Sequence, residues 1–134
     1  MLTQKRAGAY LEDHVKFASP IGLILLLYDK TIQTLKLSST SLRAPQQDLT
    51  EKGRTLCLAV DIIAELQAVL DRDRGGKIAE KLDALYGYML EQLTLANYDN
   101  NPAVIDEVVG LLEQLREGWR AATTTADQKT PPAR

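Results

Sequence analysis

The sequence predicts an all-α protein: an antiparallel four-helix bundle with an N-terminal arm that acts as a cap and a disordered C-terminal tail. No segment shows sustained alternation of apolar and polar residues, whereas apolar residues recur at helical spacing along most of the 134-residue chain. Polar stretches that contain Pro or Gly divide this pattern into four segments, each roughly 30 Å long as a helix. The chain length suits one domain with one hydrophobic core.

The first helix is predicted over about residues 19 to 38, after an N-terminal arm at residues 1 to 18. Ser19 suits the N-cap and Pro20 the first helical position, because the N–H that proline lacks would have no partner there. The polar stretch "SSTSLRAPQQD" then predicts a loop. The second helix is predicted over about residues 50 to 71, and its core stripe consists of Leu56, Ala59, Val60, Ile63 and Leu70.

The third helix is predicted over about residues 77 to 97. It follows the stretch "RDRGG", in which Gly75 or Gly76 can adopt the left-handed conformation that ends the second helix. The core stripe of the third helix consists of Ile78, Leu82, Leu85, Tyr86, Met89, Leu93 and Ala96.

The fourth helix is predicted over about residues 102 to 121, with Asn101 as its N-cap and Pro102 at its first position. Residues 122 to 134 lose the helical period and gain Thr and Pro, which predicts a disordered tail. The core stripe of the fourth helix consists of Ile105, Val108, Val109, Leu112 and Trp119.

The composition argues against several classes of function. A formal net charge of −2 is atypical of nucleic-acid-binding proteins. The one histidine, His14, lies in the arm, so the paired Glu-x-x-His motifs of a di-iron bundle cannot be built, and no nucleophile motif accompanies it. We therefore predict that the protein is not an enzyme and has no catalytic residues, no metal and no cofactor.

The cysteine content and the apolar runs bear on location. The single cysteine, Cys57, cannot form an internal disulfide and is predicted to be a small buried apolar side chain. The longest apolar run begins at Ile21 and breaks at Asp29, well short of the roughly 20 residues that span a bilayer. No secretory signal is visible. These features predict a cytosolic protein that does not insert into membranes.

The first helix carries more apolar residues than one buried stripe requires. At about 100° per residue, its core stripe consists of Ile21, Ile24, Leu25, Tyr28, Ile32 and Leu35. Further apolar residues lie near the opposite side, namely Leu23, Leu26, Leu27 and Leu37. The second helix repeats this pattern more weakly, with Leu58, Ile62 and Val69 pointing away from its main stripe.

Two explanations of this surplus remain open. In the first, the helix contacts neighbours on two sides or is covered by the arm. In the second, the additional face is an exposed groove for a partner helix, since large apolar patches on soluble proteins mark interaction sites. The groove residues would be Leu23, Leu26, Leu27, Leu58, Ile62 and Val69, and the arm residues that fold over them until a partner displaces them would be Tyr10, Leu11, Val15 and Phe17.

Several stretches together resemble the FliS family of flagellar secretion chaperones over about residues 9 to 121. They are "AYLEDHVKFASP", "LLLYDKTI", "LDRDRGGKIAEKLDALYGYMLEQLTLAN" and "EVVGLLEQLREGW". The matching residues are Tyr10, Val15, Ala18, Ser19, Pro20, Leu27, Tyr28, Asp29, Leu70, Asp71, Gly75, Gly76, Leu85, Tyr86 and Trp119. The chain departs from the family pattern at Ile21 and Gly22, at Lys30 and Thr31, and at Lys81.

The resemblance implies a cytosolic four-helix bundle that binds the C-terminal region of flagellin and prevents its premature polymerisation. It also implies delivery of flagellin to the cytoplasmic domain of the flagellar type III export gate. In the family the arm lies over part of the flagellin-binding surface, a role that would fall here to Tyr10 and Val15. The alternative is a structural or adaptor bundle that self-associates through the same apolar face without binding flagellin. Weak homo-oligomerisation is compatible with either function.

Overall fold

The computed structural model describes residues 20 to 129, with side chains at residues 21 to 122, and it confirms the predicted all-α bundle. The helices are α1 (Pro20–Arg43), α2 (Leu49–Ala68), α3 (Arg72–Asp99) and α4 (Pro102–Lys129). Both α1 and α3 pack against α2 and α4, but they do not pack closely against each other. The two helices therefore occupy opposite corners of the bundle.

Side-chain contacts between α1 and α4 show that neighbouring helices run antiparallel. At one end of the pair, Nη2 of Arg43 lies 2.6 Å from Oδ2 of Asp106. Toward the other end, Nη1 of Arg116 lies 2.9 Å from Oδ1 of Asp29. Later residues of α4 thus contact earlier residues of α1. The N-terminus of α1 consequently lies at the same end of the bundle as the end of α2 and the start of α3, which we call the Pro20 end.

Helix α1 continues to Arg43, so the prediction that it ends near residue 38 is wrong. The stretch predicted as a loop is helical up to Arg43, and its serines Ser38, Ser39 and Ser41 are buried. The hydroxyl of Ser38 hydrogen-bonds to that of Thr55 on α2. A hydrogen bond within the core offsets the cost of burying a hydroxyl group.

The stretch "RDRGG" lies within α3, whereas the predicted bounds placed it between helices. Helix α2 ends at Ala68, and Asp71 caps α3 by accepting a hydrogen bond from the Arg74 amide at 3.0 Å. Gly76 then breaks the helix with φ 56° and ψ −133°, a conformation that disfavours residues with a Cβ. A glycine with positive φ was expected here, but it kinks α3 instead of ending α2.

The predicted start of α4 is confirmed. Asn100 adopts the left-handed conformation that ends α3, and Oδ1 of Asn101 accepts a hydrogen bond from the Ala103 amide at 3.1 Å. Pro102 is the first residue of the helix. The helix runs to Lys129, past the predicted end near residue 121.

The core contains most of the predicted stripe residues of α2, α3 and α4. Those that are buried are Leu56, Ala59, Ile63, Leu82, Tyr86, Met89, Leu93, Ala96, Ile105, Val108, Val109 and Leu112. Ile78 is an exception at 70% exposure, because it follows the Gly76 break and lies beyond the level at which α2 ends. Cys57 is exposed, so its predicted burial is wrong: it points about 100° away from its buried neighbour Leu56 around the helix.

Candidate partner-binding surface

An apolar surface lies at the Pro20 end of the bundle. Residues 21–26 of α1 are all partly exposed, although five of the six are Ile or Leu. Val69 follows the last residue of α2 and is 62% exposed, and Ile78 near the start of α3 is also exposed. Residues 21–26, Val69, Leu70 and Ile78 are called the end surface below.

The antiparallel register brings the α1 and α2 parts of the end surface to one level. Ser38 and Thr55 are in contact, Ile24 precedes Ser38 by fourteen residues, and Val69 follows Thr55 by fourteen. With equal rise per residue in both helices, Ile24 and Val69 lie at matching heights. The apolar residues of α1 and the end of α2 therefore lie at the same level of the bundle.

A hydrogen-bonded group of aromatic side chains, centred on two buried tyrosines, lies next to the end surface. The hydroxyls of Tyr28 on α1 and Tyr86 on α3 are 2.5 Å apart, and Trp119 on α4 also hydrogen-bonds to Tyr28. Burial raises the pKa of both tyrosines, and for Tyr86 the neighbouring Tyr28 raises the pKa further. Both phenols therefore stay neutral and link two diagonal helices that otherwise have little direct contact.

Only part of the predicted groove lies on this surface. Leu23 and Leu26 are partly exposed within residues 21–26, and Val69 is exposed at the same level of the bundle. Leu58 is partly buried and lies about 16 Å along α2 from Val69. The six residues are therefore not a single cluster.

Leu27 and Ile62 do not lie on an exposed face, so that part of the two-face interpretation is wrong. They are 2% and 1% exposed and belong to the core. Each lies on a helix that packs against two neighbours, and a helix in that position buries about half of its circumference instead of one narrow stripe. For these two residues, contact with neighbours on two sides explains the surplus.

The predicted cap residues Tyr10, Leu11, Val15 and Phe17, together with His14 and the proposed N-cap Ser19, lie outside the described residues. Their roles remain predictions.

Leu37, the remaining apolar residue of the second face of α1, lies in a different place. It lines an open groove of about 500 Å³ between α1 and α4, together with Asp29, Ile32, Gln33, Lys36, Thr40 and Arg116. The charged groups in this groove pair with partners of the same protein, Arg116 with Asp29 and Lys36 with Glu113. The groove thus presents no unpaired charge to a ligand.

Sequence reasoning missed a second apolar region, on the side of α3 that faces away from the core. Tyr88, Leu95 and Tyr98 are exposed there, Tyr98 to 87%. The signal was present in the helical period, because these residues lie well away from the core stripe that includes Met89 and Leu93.

No helix within residues 20–129 is long and apolar enough to cross a membrane.

Comparison with known proteins gives a consistent result. The model of the family described as flagellar protein FliS matches residues 3–126. The flagellar secretion chaperone FliS of Salmonella typhimurium is 38% identical over 121 residues, which are 90% of this chain and 88% of the relative. FliSB of Pseudomonas aeruginosa is 37% identical over 81% of this chain and 85% of its own length. FliS of Bacillus subtilis is 30% identical over 91% of this chain and 89% of its own length. With the helical bundle and the sequence motifs in agreement, the chain belongs to the FliS family of flagellar secretion chaperones.

Proposed function

We propose that this protein is a cytosolic chaperone that binds the C-terminal region of flagellin, prevents premature polymerisation and assists its delivery to the flagellar type III export apparatus. Membership of a flagellar secretion chaperone family supports an export substrate of the flagellum. The observation that carries the flagellin-binding part is the end surface, an apolar region with no charged residue among its members. Such a region suits the apolar face of an amphipathic helix.

Within this proposal, Leu23, Leu26 and Val69 are the residues that contact flagellin. Leu23 and Leu26 lie on α1 and Val69 directly follows α2 at the same level, so a single bound helix can touch all three. Leu58 would be reached only by a segment that extends along α2 toward the middle of the bundle. Leu27 and Ile62 act indirectly, because their packing holds the exposed residues in place.

A matched pair of substitutions tests the binding surface. Val69→Glu adds a charge to the end surface, whereas Leu49→Glu adds the same charge at the opposite end of α2, where Leu49 is similarly exposed. We expect Val69→Glu to weaken binding of flagellin by tenfold or more, on the order of the cost of desolvating a carboxylate in an apolar contact. Leu49→Glu should bind as the wild type does.

The binding assay is isothermal titration calorimetry of the full chain with full-length flagellin and with flagellin that lacks its C-terminal region. The proposal requires a 1:1 complex with full-length flagellin that is lost on truncation. If the wild-type chain does not bind full-length flagellin, the function is wrong. If both glutamate variants bind normally, flagellin uses another surface.

The arm is proposed to cover the end surface in the free protein through Tyr10, Leu11, Val15 and Phe17. Deletion of residues 1 to 17 should then expose apolar surface and increase the fluorescence of a hydrophobic dye. Adding Val69→Glu to the deletion should reduce this increase, because the charge lies within the uncovered region. A truncated chain that binds no more dye than the wild type would show that the arm is not a cover.

Delivery is proposed to proceed through the cytoplasmic domain of the export gate, with the chaperone–flagellin complex as the species that binds. Analytical gel filtration of chaperone, flagellin and this domain should give a ternary complex. Elution of the gate domain alone in the presence of the binary complex would contradict this step.

A further inference from the structure

The outward face of α3 carries a regular row of exposed residues. Tyr88 lies at its centre, Lys81 and Leu95 are each seven residues away, and Lys77 and Asp99 are each eleven residues away. At about 100° per residue, steps of seven and eleven return to within about 20° of the starting direction, so all five residues lie on one line along the helix. All five are exposed.

The charges in this row are sorted by sign. The lysines lie near the start of α3 and Asp99 is its last residue, an order that the helix macrodipole disfavours. Several other exposed charges of the bundle are paired, as Arg72 is with Asp83 and Arg43 with Asp106. Within the described residues, no ion pair involves Lys77, Lys81 or Asp99. Neither helix stability nor pairing within the chain accounts for the arrangement.

A second copy of the same row, turned by 180° about Tyr88, is complementary to the first. Lys77 then faces Asp99 of the other copy at both ends of the contact, about 16 Å from the centre. Lys81 lies over Leu95, so its aliphatic stem covers the exposed leucine, and the two Tyr88 rings meet at the axis. A two-fold interface requires this kind of self-complementarity.

We propose that the outward face of α3 is a self-association surface, on which a second copy of this chain packs antiparallel with the two-fold axis at Tyr88. The contact consists of one helix from each copy, which is at the small end of specific protein interfaces. The dimer should therefore dissociate on dilution. Because α3 presents this face away from the core, the contact leaves residues 21–26 and Val69 free.

Charge reversal tests both the surface and the register. In Lys77→Glu, a glutamate faces Asp99 at both ends of the homodimer, and in Asp99→Lys, a lysine faces Lys77. We expect each variant alone to dimerise at least about tenfold more weakly than the wild type, since two ion pairs become repulsive. In an equimolar mixture both contacts are attractive again, so a heterodimer of near wild-type affinity should form.

Sedimentation velocity over about 1 to 500 μM of the full chain measures these equilibria. Lys30→Glu is the matched control, because it makes the same charge change on α1, at the opposite corner of the bundle. Circular dichroism confirms that each variant is folded. The proposal is overturned if the wild type stays monomeric throughout this range, or if the charge variants dimerise like the control. Failure of the mixture to associate also overturns it, because the register would then be wrong.

Discussion

Replacement of Leu27 by alanine separates the core of α1 from its exposed apolar surface. Leu27 is 2% exposed and packs in the core between the helices that flank α1, whereas its neighbour Leu26 is partly exposed. Leu27→Ala and Leu26→Ala make the same chemical change at adjacent positions of one helix. The change in helix propensity from Leu to Ala is therefore the same in both variants, and the two sites differ only in burial.

The magnitude follows from the site of Leu27. Buried Leu→Ala substitutions cost about 2 to 5 kcal/mol, and the value within that range depends on how far the site can collapse. Because neighbours on two sides hold α1, we expect about 3 kcal/mol for Leu27→Ala. Leu26→Ala should cost about 1 kcal/mol or less, since less apolar area is withdrawn from water at that position.

Urea unfolding followed by circular dichroism at equilibrium measures both values. With a denaturant slope of about 1.5 to 2 kcal/mol per molar, typical of a domain of this size, the midpoint for Leu27→Ala should fall by about 1.5 to 2 M. The midpoint for Leu26→Ala should fall by about 0.7 M or less. Equal losses of stability for the two variants would refute the assignment of Leu27 to the core and restore the two-face interpretation of α1.

Three further outcomes are expected. Gly76→Ala should lower the free energy of unfolding by about 1 to 2 kcal/mol, because φ is positive at this position. Gly53→Ala should raise the free energy of unfolding by about 0.4 to 1 kcal/mol, because Gly53 lies in a helix with open space for a Cβ. Equal urea midpoints for the two variants would contradict this. Burial raises the pKa of Tyr28 and Tyr86 in the folded state, so the free energy of unfolding should be constant below about pH 10 and should fall as the pH rises above that value. Urea midpoints measured from neutral to alkaline pH should show a shallower fall for Tyr86→Phe than for the wild type. Cys57 should react with a thiol reagent in the native protein at nearly the rate seen in urea, and a protected thiol would show that it is buried.

Most core residues of the bundle were predictable from the sequence because they repeat at the helical period. A stripe such as Leu82, Tyr86, Met89 and Leu93 repeats at the helical spacing, and a helix can bury that stripe in only one direction. The start of α4 was equally local, since Asn101 and Pro102 act on the backbone of the next few residues. Such features do not depend on distant parts of the chain.

The errors arose where a neighbouring helix changed the meaning of a local pattern. The serines before Arg43 indicate a loop when they are considered alone, but α2 supplies a partner for Ser38 through Thr55. The two glycines indicate a boundary between α2 and α3, but Asp71 caps the N-terminus of α3, so the segment that contains the glycines is part of α3. Periodicity alone could not decide these outcomes, because each depends on a contact or a cap outside the pattern.

The sequence by itself determined four amphipathic helices, their order, most of the core and the family to which the chain belongs. Only the tertiary structure decided which of the surplus apolar residues are buried. Leu26 and Leu27 are adjacent leucines of one helix, and the sequence has no means of telling them apart. Leu27 is buried because α1 lies between two neighbours, whereas Leu26 and Val69 stay accessible at the Pro20 end. Burial is a property of what surrounds a residue, so the exposed apolar surface is defined only when the helices are packed.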